Sequence, residues 1–110
     1  MENWIQAGVK IDAVLANNDE MAIGAAMALE QVGLLDQVLI AGVDATPDAL
    51  EAMKEGKLDL TIFQDAYGQG RGGIEAALKA VNGEELPEIW DIPYEPVTPD
   101  KVDEYLAKWR

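Results

Sequence analysis

Residues 11–44 read IDAVLANNDEMAIGAAMALEQVGLLDQVLIAGVD, and this stretch decides the fold class. It holds two short apolar runs, at residues 11–16 and 37–43, with the length and composition of parallel strands that are covered on both faces. The segment between them, residues 19–32, carries apolar side chains at helical spacing. A strand, a helix and a second strand in this order predict an α/β fold, in which helices flank a parallel sheet.

The same alternation continues to the end of the chain. The further predicted elements are a helix at 47–55, a strand at 58–64, a long helix at 67–82, an extended segment at 89–96 and a last helix from residue 99. Asn18 or Asp19 is the predicted N-cap of the first helix, and Thr46 with the proline that follows it predicts the start of the second. Pro93 and Pro96 predict that the extended segment is an edge strand or a crossing segment.

Composition excludes several classes of function. The chain has 110 residues and a net charge of −13, with 21 acidic and 8 basic residues, so we expect no nucleic-acid partner. It contains no cysteine and no histidine, which excludes a disulfide scaffold, a thiolate nucleophile, a Cys/His zinc site and any catalytic triad that needs imidazole. We therefore expect no enzyme, no catalytic residues, no metal and no cofactor.

The ends and the apolar runs of the chain carry no membrane or export pattern. No apolar run approaches the length that is needed to span a bilayer. The first ten residues lack the basic start and the apolar stretch of a signal peptide. As the sequence stands, we expect it to have no signal peptide.

Three polar residues follow the predicted strands at the edge of the sheet where ligands bind in open parallel sheets. Asn18 follows the first strand, Asp44 follows the second, and Gln64 ends the third. A carboxylate accepts hydrogen bonds from two neighbouring hydroxyl groups, and an amide both donates and accepts, so these residues suit a sugar. Each position is also suited to capping a helix or closing a turn, and the spacing alone slightly favours that structural role.

Three motifs in this order resemble type I periplasmic sugar-binding proteins of the ribose- and galactose-binding kind. They are VLANNDEMAIGA at 14–25, AGVDATP at 41–47, and EGK at 55–57 followed by TIFQ at 61–64. The resemblance runs from about Ile11 to about Leu106. It implies that Asn18, Asp44 and Gln64 are ligand-binding positions.

What the resemblance implies is a non-enzymatic solute-binding subunit of an ABC importer. Its ligand would be a monosaccharide or a related polyol, and its partner an ABC permease. The full-length family is periplasmic or extracellular. Members are far longer than this chain, so the resemblance implies a single partial domain: a truncated lobe of the family fold together with a piece of the other lobe.

Family topology also divides the chain. Residues 11–64 correspond to elements of the C-terminal lobe, 65–88 to a helix of the other lobe, and 89–110 to the crossing segment and the C-terminal helix. Because the chain holds half of a site at best, we expect weak or no ligand binding by it alone. The division also leaves two possibilities for the helix at 67–82: it docks on the sheet of its own chain, or it is exchanged between two copies in a homodimer.

Two other interpretations remain open. The first motif is shared with the effector-binding domains of lac-repressor-like transcription regulators. Gly68–Gly73 reads GQGRGG and fits the Gly-x-Gly-x-x-Gly pattern of a nucleotide-binding α/β enzyme. The predicted strand ends several residues before these glycines, however, and no second strand that ends in an acidic residue follows. We therefore expect the glycines to allow close helix packing and a hinge.

Aromatic and acidic residues are expected to have structural roles. Packing is the expected role of Trp4, Trp90 and Trp109, and Trp90 is the best of them for stacking on a sugar. Asp19 and Glu20 are adjacent on a predicted helix and point apart, so solvated charge is their expected role.

Overall fold

The computed structural model describes residues 1–109, which form two compact units. The first unit comprises Met1–Phe63 and the C-terminal stretch from Pro96, and the second comprises Gln64–Glu95. In chain order the elements are α1 (Glu2–Gln6), β1 (Ala13–Leu15), α2 (Asp19–Gln31), β2 (Leu39–Ala41), α3 (Pro47–Lys54), β3 (Thr61–Phe63), α4 (Ala66–Val81), β4 (Glu95–Val97) and α5 (Val102–Lys108). Short 3₁₀ turns lie at Leu35–Gln37 and Pro99–Lys101. None of the helices in the described part of the chain is long and apolar enough to cross a membrane.

The sheet of the first unit is built as the sequence predicts. Strand β1 pairs with β2 in parallel, with Val14 opposite Ile40. Two isolated parallel bridges, Ala41 to Leu60 and Asp44 to Phe63, connect the β2 segment with the β3 segment, and β3 pairs with β4. The predicted α/β fold with a parallel sheet is confirmed, although each strand is shorter than predicted.

The helix ends follow from local side-chain chemistry. The Asn18 side chain caps α2 by accepting a hydrogen bond of 2.9 Å from the Met21 N–H, and the Thr46 hydroxyl accepts one of 3.3 Å from the Ala49 N–H at the start of α3. Beyond α2, Gly33 has a φ of 71°, the left-handed conformation in which helices commonly end. These caps and this helix end are confirmed, whereas α1 has no counterpart in the sequence prediction.

The core lies on one side of the β1–β2 pair. Ile40 is 1% exposed and packs in a cluster with buried residues of α2, α3 and α5, namely Leu29, Leu50 and Val102 among others. Successive strand residues point to opposite faces, so Leu15 and Leu39 lie on the other face, where they are 84% and 65% exposed. The prediction that these strands are covered on both faces is therefore wrong, because the buried side chains of the unit's helices cluster with Ile40 on one face.

Candidate ligand-binding site

Asn18 lies directly after β1, at the start of α2. Its side-chain oxygen accepts the capping hydrogen bond from the Met21 N–H, so the predicted role of Asn18 as a helix cap is confirmed. The amide nitrogen of the same side chain carries two N–H donors, which are the groups that a sugar hydroxyl oxygen accepts from. Capping the helix and binding a hydroxyl are therefore compatible at Asn18.

Asp44 lies in a strained turn that follows β2. Asp44 and Ala45 have φ angles of 119° and 53°, in the left-handed half of the map that favours glycine. A residue in such a conformation costs on the order of 1–3 kcal/mol and persists only when its surroundings impose it. The Asp44 N–H donates to the Ile62 carbonyl at 2.7 Å, which ties the turn to the β3 segment.

A buried carboxylate lies beneath this turn. Asp19 is 0% exposed, and its two oxygens accept hydrogen bonds from the Thr61 hydroxyl at 2.6 Å and from the Thr46 N–H at 2.9 Å. The Thr61 oxygen in turn accepts a bond of 3.1 Å from the Ala45 N–H. The prediction of a solvated Asp19 is wrong, because the side chain turns under the loop after β2 rather than out from the helix.

Burial raises the pKa of Asp19 above its ordinary value of 3.8. The hydrogen bonds from Thr61 and Thr46 oppose that effect, and the nearby charges of Asp44 and Glu20 add to it. A buried carboxylate with two negative neighbours keeps its place here because donors satisfy both of its oxygens.

The indole of Trp109 closes the turn from the C-terminal end of the chain. Its Nε1–H donates to the Ala45 carbonyl at 2.9 Å. The Trp109 ring packs edge-on against Phe63 with 6.4 Å between centroids, and Tyr105 packs against the same Phe63 ring at 5.1 Å. The Lys108 ammonium lies 4.1 Å from the Tyr105 ring centroid. Trp109 is thus the tryptophan in contact with the turn that contains Asp44.

Trp90, the tryptophan that the sequence favours for sugar stacking, lies in the second unit beside α4. A Cβ added at Gly72 would come 3.2 Å from the Trp90 Nε1 and 3.1 Å from the Ile92 Cδ1. The Lys79 ammonium lies 5.2 Å from the Trp90 ring centroid. These contacts give Trp90 a packing role against α4.

Gln64 begins the second unit, directly after β3. Its side-chain oxygen accepts a hydrogen bond of 2.9 Å from the Tyr94 hydroxyl of the same unit. Of the three predicted positions, Asn18 and Asp44 thus lie on successive loops at the carboxyl ends of neighbouring strands in the first unit. Gln64 is placed in the second unit.

The glycine pattern at Gly68–Gly73 lies inside α4 rather than in a loop before it. A phosphate-binding loop needs backbone N–H groups that point out of the helix end, whereas here Asp65 occupies that end by accepting a bond of 2.8 Å from the Gly68 N–H. The absent side chain of Gly72 lets Trp90 and Ile92 approach the helix closely, so the expected packing role of the glycines is confirmed at that position.

Within residues 1–109, no group of three Asp or Glu side chains is placed to hold a metal ion. The polar groups around the turn are carboxylate, amide, hydroxyl and backbone groups. Such groups bind hydroxyl groups by hydrogen bonding.

A comparison with protein families identifies the fold. The model of the periplasmic binding protein domain matches residues 1–85. The chain belongs to the periplasmic binding protein family. The resemblance in the three sequence motifs is confirmed by this match.

Relatives of this periplasmic binding protein chain are named for rhizopine and for ribose. A rhizopine-binding protein of Rhizobium meliloti is 53% identical over 109 residues, which are 98% of this chain and 35% of that protein. The ribose import binding protein of Salmonella typhimurium is 44% identical over 86 residues, which are 78% of this chain and 29% of that protein.

A solved structure supports the same assignment. An ABC transporter solute binding protein from Bacillus halodurans with bound myo-inositol matches with a TM-score of 0.87 and 63% identity, over 97% of this chain and 37% of that one. The chain therefore spans about a third of the length of its relatives. These relatives are periplasmic binding proteins rather than enzymes or regulators, and none of their names favours the regulator or the nucleotide-binding interpretation.

Proposed function

We propose that the chain is part of the solute-binding subunit of an ABC importer and contributes part of a site for a monosaccharide or a cyclic polyol. The observation that carries this proposal is the pair Asn18 and Asp44, on successive loops at the carboxyl ends of β1 and β2. That is the edge at which ligands bind in open α/β sheets. The 63% identity to a protein that holds myo-inositol supports a hydroxyl-rich ligand.

Each proposed ligand residue has a distinct chemical role. The Asp44 carboxylate accepts hydrogen bonds from two adjacent hydroxyl groups, and the Asn18 amide nitrogen donates to a hydroxyl oxygen. Gln64 is the third ligand residue, and its amide nitrogen is the donor, since its oxygen already accepts from Tyr94. The partner of the whole protein is an ABC permease. The whole protein is located in the periplasm or the extracellular space.

The chain alone binds its ligand weakly or not at all. It spans about a third of the length of the matched proteins, so much of the surface that would enclose a sugar lies outside it. Small ligands are bound tightly when most of their surface is buried, and an open half-site does not provide that enclosure.

A chimera tests the proposal. The chain replaces the matching segment of the Bacillus halodurans protein, and calorimetry measures binding of myo-inositol, ribose, galactose and glucose. We expect at least one of these to bind to the chimera and to bind far more weakly to the 110-residue chain. We also expect Asp44→Ala to weaken binding by about 10- to 100-fold, since a charged hydrogen-bond partner is lost.

The matched control is Asp36→Ala. Asp36 is an exposed aspartate in the 3₁₀ turn that precedes β2, at the opposite end of that strand from Asp44. Asp36→Ala removes the same negative charge as Asp44→Ala, and we expect it to leave the ligand affinity unchanged. Equal losses of affinity in the two variants, or no loss in Asp44→Ala, would contradict the assignment of Asp44.

Exposed apolar side chains support self-association of the isolated chain. In α4 they are Tyr67, Ile74, Leu78 and Val81, each at least 60% exposed, and Gly72 is the buried residue of that helix. A dimer that exchanges α4 would cover these side chains. Light scattering at high protein concentration measures the mass, and a monomer would count against the exchange.

A further inference from the structure

Asp19 is a buried carboxylate to which the proposed function assigns no role. Its two hydrogen-bond donors are Thr46, 27 residues away, and Thr61, 42 residues away. Its own N–H donates to the Val43 carbonyl at 2.9 Å. One side chain at the start of α2 therefore ties the helix to the loop after β2 and to β3.

Four hydrogen bonds hold the backbone of the turn at residues 44–46. The Asp44 N–H is bonded to Ile62, the Ala45 N–H to the Thr61 hydroxyl, and the Thr46 N–H to the Asp19 carboxylate. The Ala45 carbonyl accepts from the Trp109 indole. Asp19 is the ionisable group in this set, and the Thr61 hydroxyl connects it to the Ala45 amide.

Two features show that the arrangement depends on close fit. Asp44 and Ala45 both have positive φ angles, which the surroundings must impose. A Cβ added at Gly42 would overlap the Asp19 Oδ1 and would come 3.2 Å from the Ala22 Cβ. Glycine at position 42 therefore provides the space in which the Asp19 carboxylate lies.

We propose that Asp19 is a positioning residue, which touches no ligand and aims the Asp44 carboxylate by holding the turn at residues 44–46. This inference rests on the proposed function, because it takes Asp44 to be a ligand residue. Asp19 acts through its bonds to Thr46 and Thr61. Burial raises the pKa of Asp19, and the hydrogen bonds from Thr61 and Thr46 oppose that rise.

The first test needs no ligand and uses the 110-residue chain. Amide exchange measured by NMR follows the Ala45 and Thr46 N–H groups and the Trp109 indole N–H in Asp19→Asn. We expect their exchange to accelerate by about tenfold or more while the Ile40 amide in the core keeps its protection. Unchanged protection at Ala45 and Thr46 would overturn the proposal.

The second test measures ligand affinity in the chimera described above. We expect Asp19→Asn to raise the Kd for the bound ligand about tenfold. In an Asp44→Ala background the same substitution should change the Kd by less than about twofold, because Asp19 acts through Asp44. Full additivity of the two losses would overturn the positioning role.

A pair of substitutions at Thr61 covers the case in which Asp19→Asn does not fold. Thr61→Val keeps the shape of the side chain and removes the hydroxyl that bonds Asp19 and Ala45, whereas Thr61→Ser keeps that hydroxyl. We expect faster exchange at Ala45 and a higher Kd in the valine variant and recovery of both in the serine variant. Identical behaviour of the two variants would overturn the proposal.

The two tests also separate this inference from the proposed function. If no ligand binds to the chimera, or if Asp44→Ala has no effect, the proposed function fails. The exchange measurement on the free chain still decides whether Asp19 holds the turn.

Discussion

At the scale of single residues, Gly42 sets how closely α2 approaches the segment after β2. A methyl group at this position would overlap the buried Asp19 carboxylate and crowd the Ala22 methyl. We expect Gly42→Ala to lower the free energy of unfolding by about 1–3 kcal/mol, the usual cost of overpacking a buried site. Urea denaturation followed by circular dichroism measures the change.

Gly24 provides the matched control for this substitution. It lies within α2, and a Cβ added there meets nothing within 4 Å. Gly24→Ala should raise the free energy of unfolding by about 0.5–1 kcal/mol, because alanine has the higher helix propensity. A similar effect of the same sign at both glycines would contradict the role of Gly42.

Asp19 should also produce a measurable pH dependence. Burial raises its pKa in the folded state above 3.8, so its contribution to stability is fully present below that value and is lost as the pH rises through the raised pKa. The free energy of unfolding of the wild type, minus that of Asp19→Asn, should therefore be larger at pH 4 than at pH 7. Urea titrations of both proteins at the two pH values measure it, and a constant difference would contradict the raised pKa.

The site was only partly predictable at this scale. Asn18 and Asp44 were singled out because they follow apolar strands at the ligand edge of a parallel sheet. The spacing alone favoured a structural role, and the resemblance to the family implied the ligand roles, which remain predictions. Asp19 was missed because its partners Thr46 and Thr61 are distant in sequence, and an acidic residue at the start of a helix is ordinarily solvated. Trp109 was missed as the indole beside the turn for the same reason, since its acceptor is the backbone of Ala45, 64 residues away.

At the scale of elements, the cap of α3 is a contact that can be tested separately from the ligand turn. The Thr46 hydroxyl caps the helix, whereas the Thr46 N–H bonds Asp19. Thr46→Ala removes the capping hydroxyl, leaves the N–H that bonds Asp19, and should lower the free energy of unfolding by about 1 kcal/mol. Thermal denaturation measures the loss, and Thr46→Ser should retain most of the stability because it keeps the hydroxyl.

Helices were predicted better than strands for a physical reason. Helix ends depend on local chemistry, so Asn18, Thr46 and Gly33 revealed them. Strand lengths and buried faces depend on which other elements cover them. The apolar residues Leu15 and Leu39 fit a strand covered on both faces. The buried side chains of α2, α3 and α5 cluster with Ile40 on the opposite face, however, and Leu15 and Leu39 are exposed.

At the scale of the whole molecule, the first unit holds the core of the protein. The buried hydrophobic cluster, from Ala22 to Tyr105, contains no residue of Gln64–Glu95. Strand β3 ends directly before the second unit, and β4 begins at the last residue of that unit. The two strands are neighbours, so a short linker can join them. Replacing residues 65–94 by about six Gly and Ser residues should preserve a cooperatively folded protein.

Thermal unfolding and the near-ultraviolet circular dichroism of Trp109 measure this outcome. The control deletes residues 96–110, which removes the buried Val97, Val102 and Tyr105 and should abolish cooperative unfolding. A variant without residues 65–94 that also loses its cooperative transition would show that the second unit is needed for the fold. The division of the chain between two lobes of the family remains a prediction until such variants are made.

The exposed side chains on the open face of the β1–β2 pair have a practical consequence for work with the isolated chain. Leu15 and Leu39 present an apolar strip to solvent in the fully folded protein. Environment-sensitive dyes such as anilinonaphthalene sulfonate report exposed apolar surface and are commonly used to recognise partly folded states. Here the native chain itself should make such a dye fluoresce, so a bright dye signal at room temperature would be a property of correct folding rather than a warning of its loss.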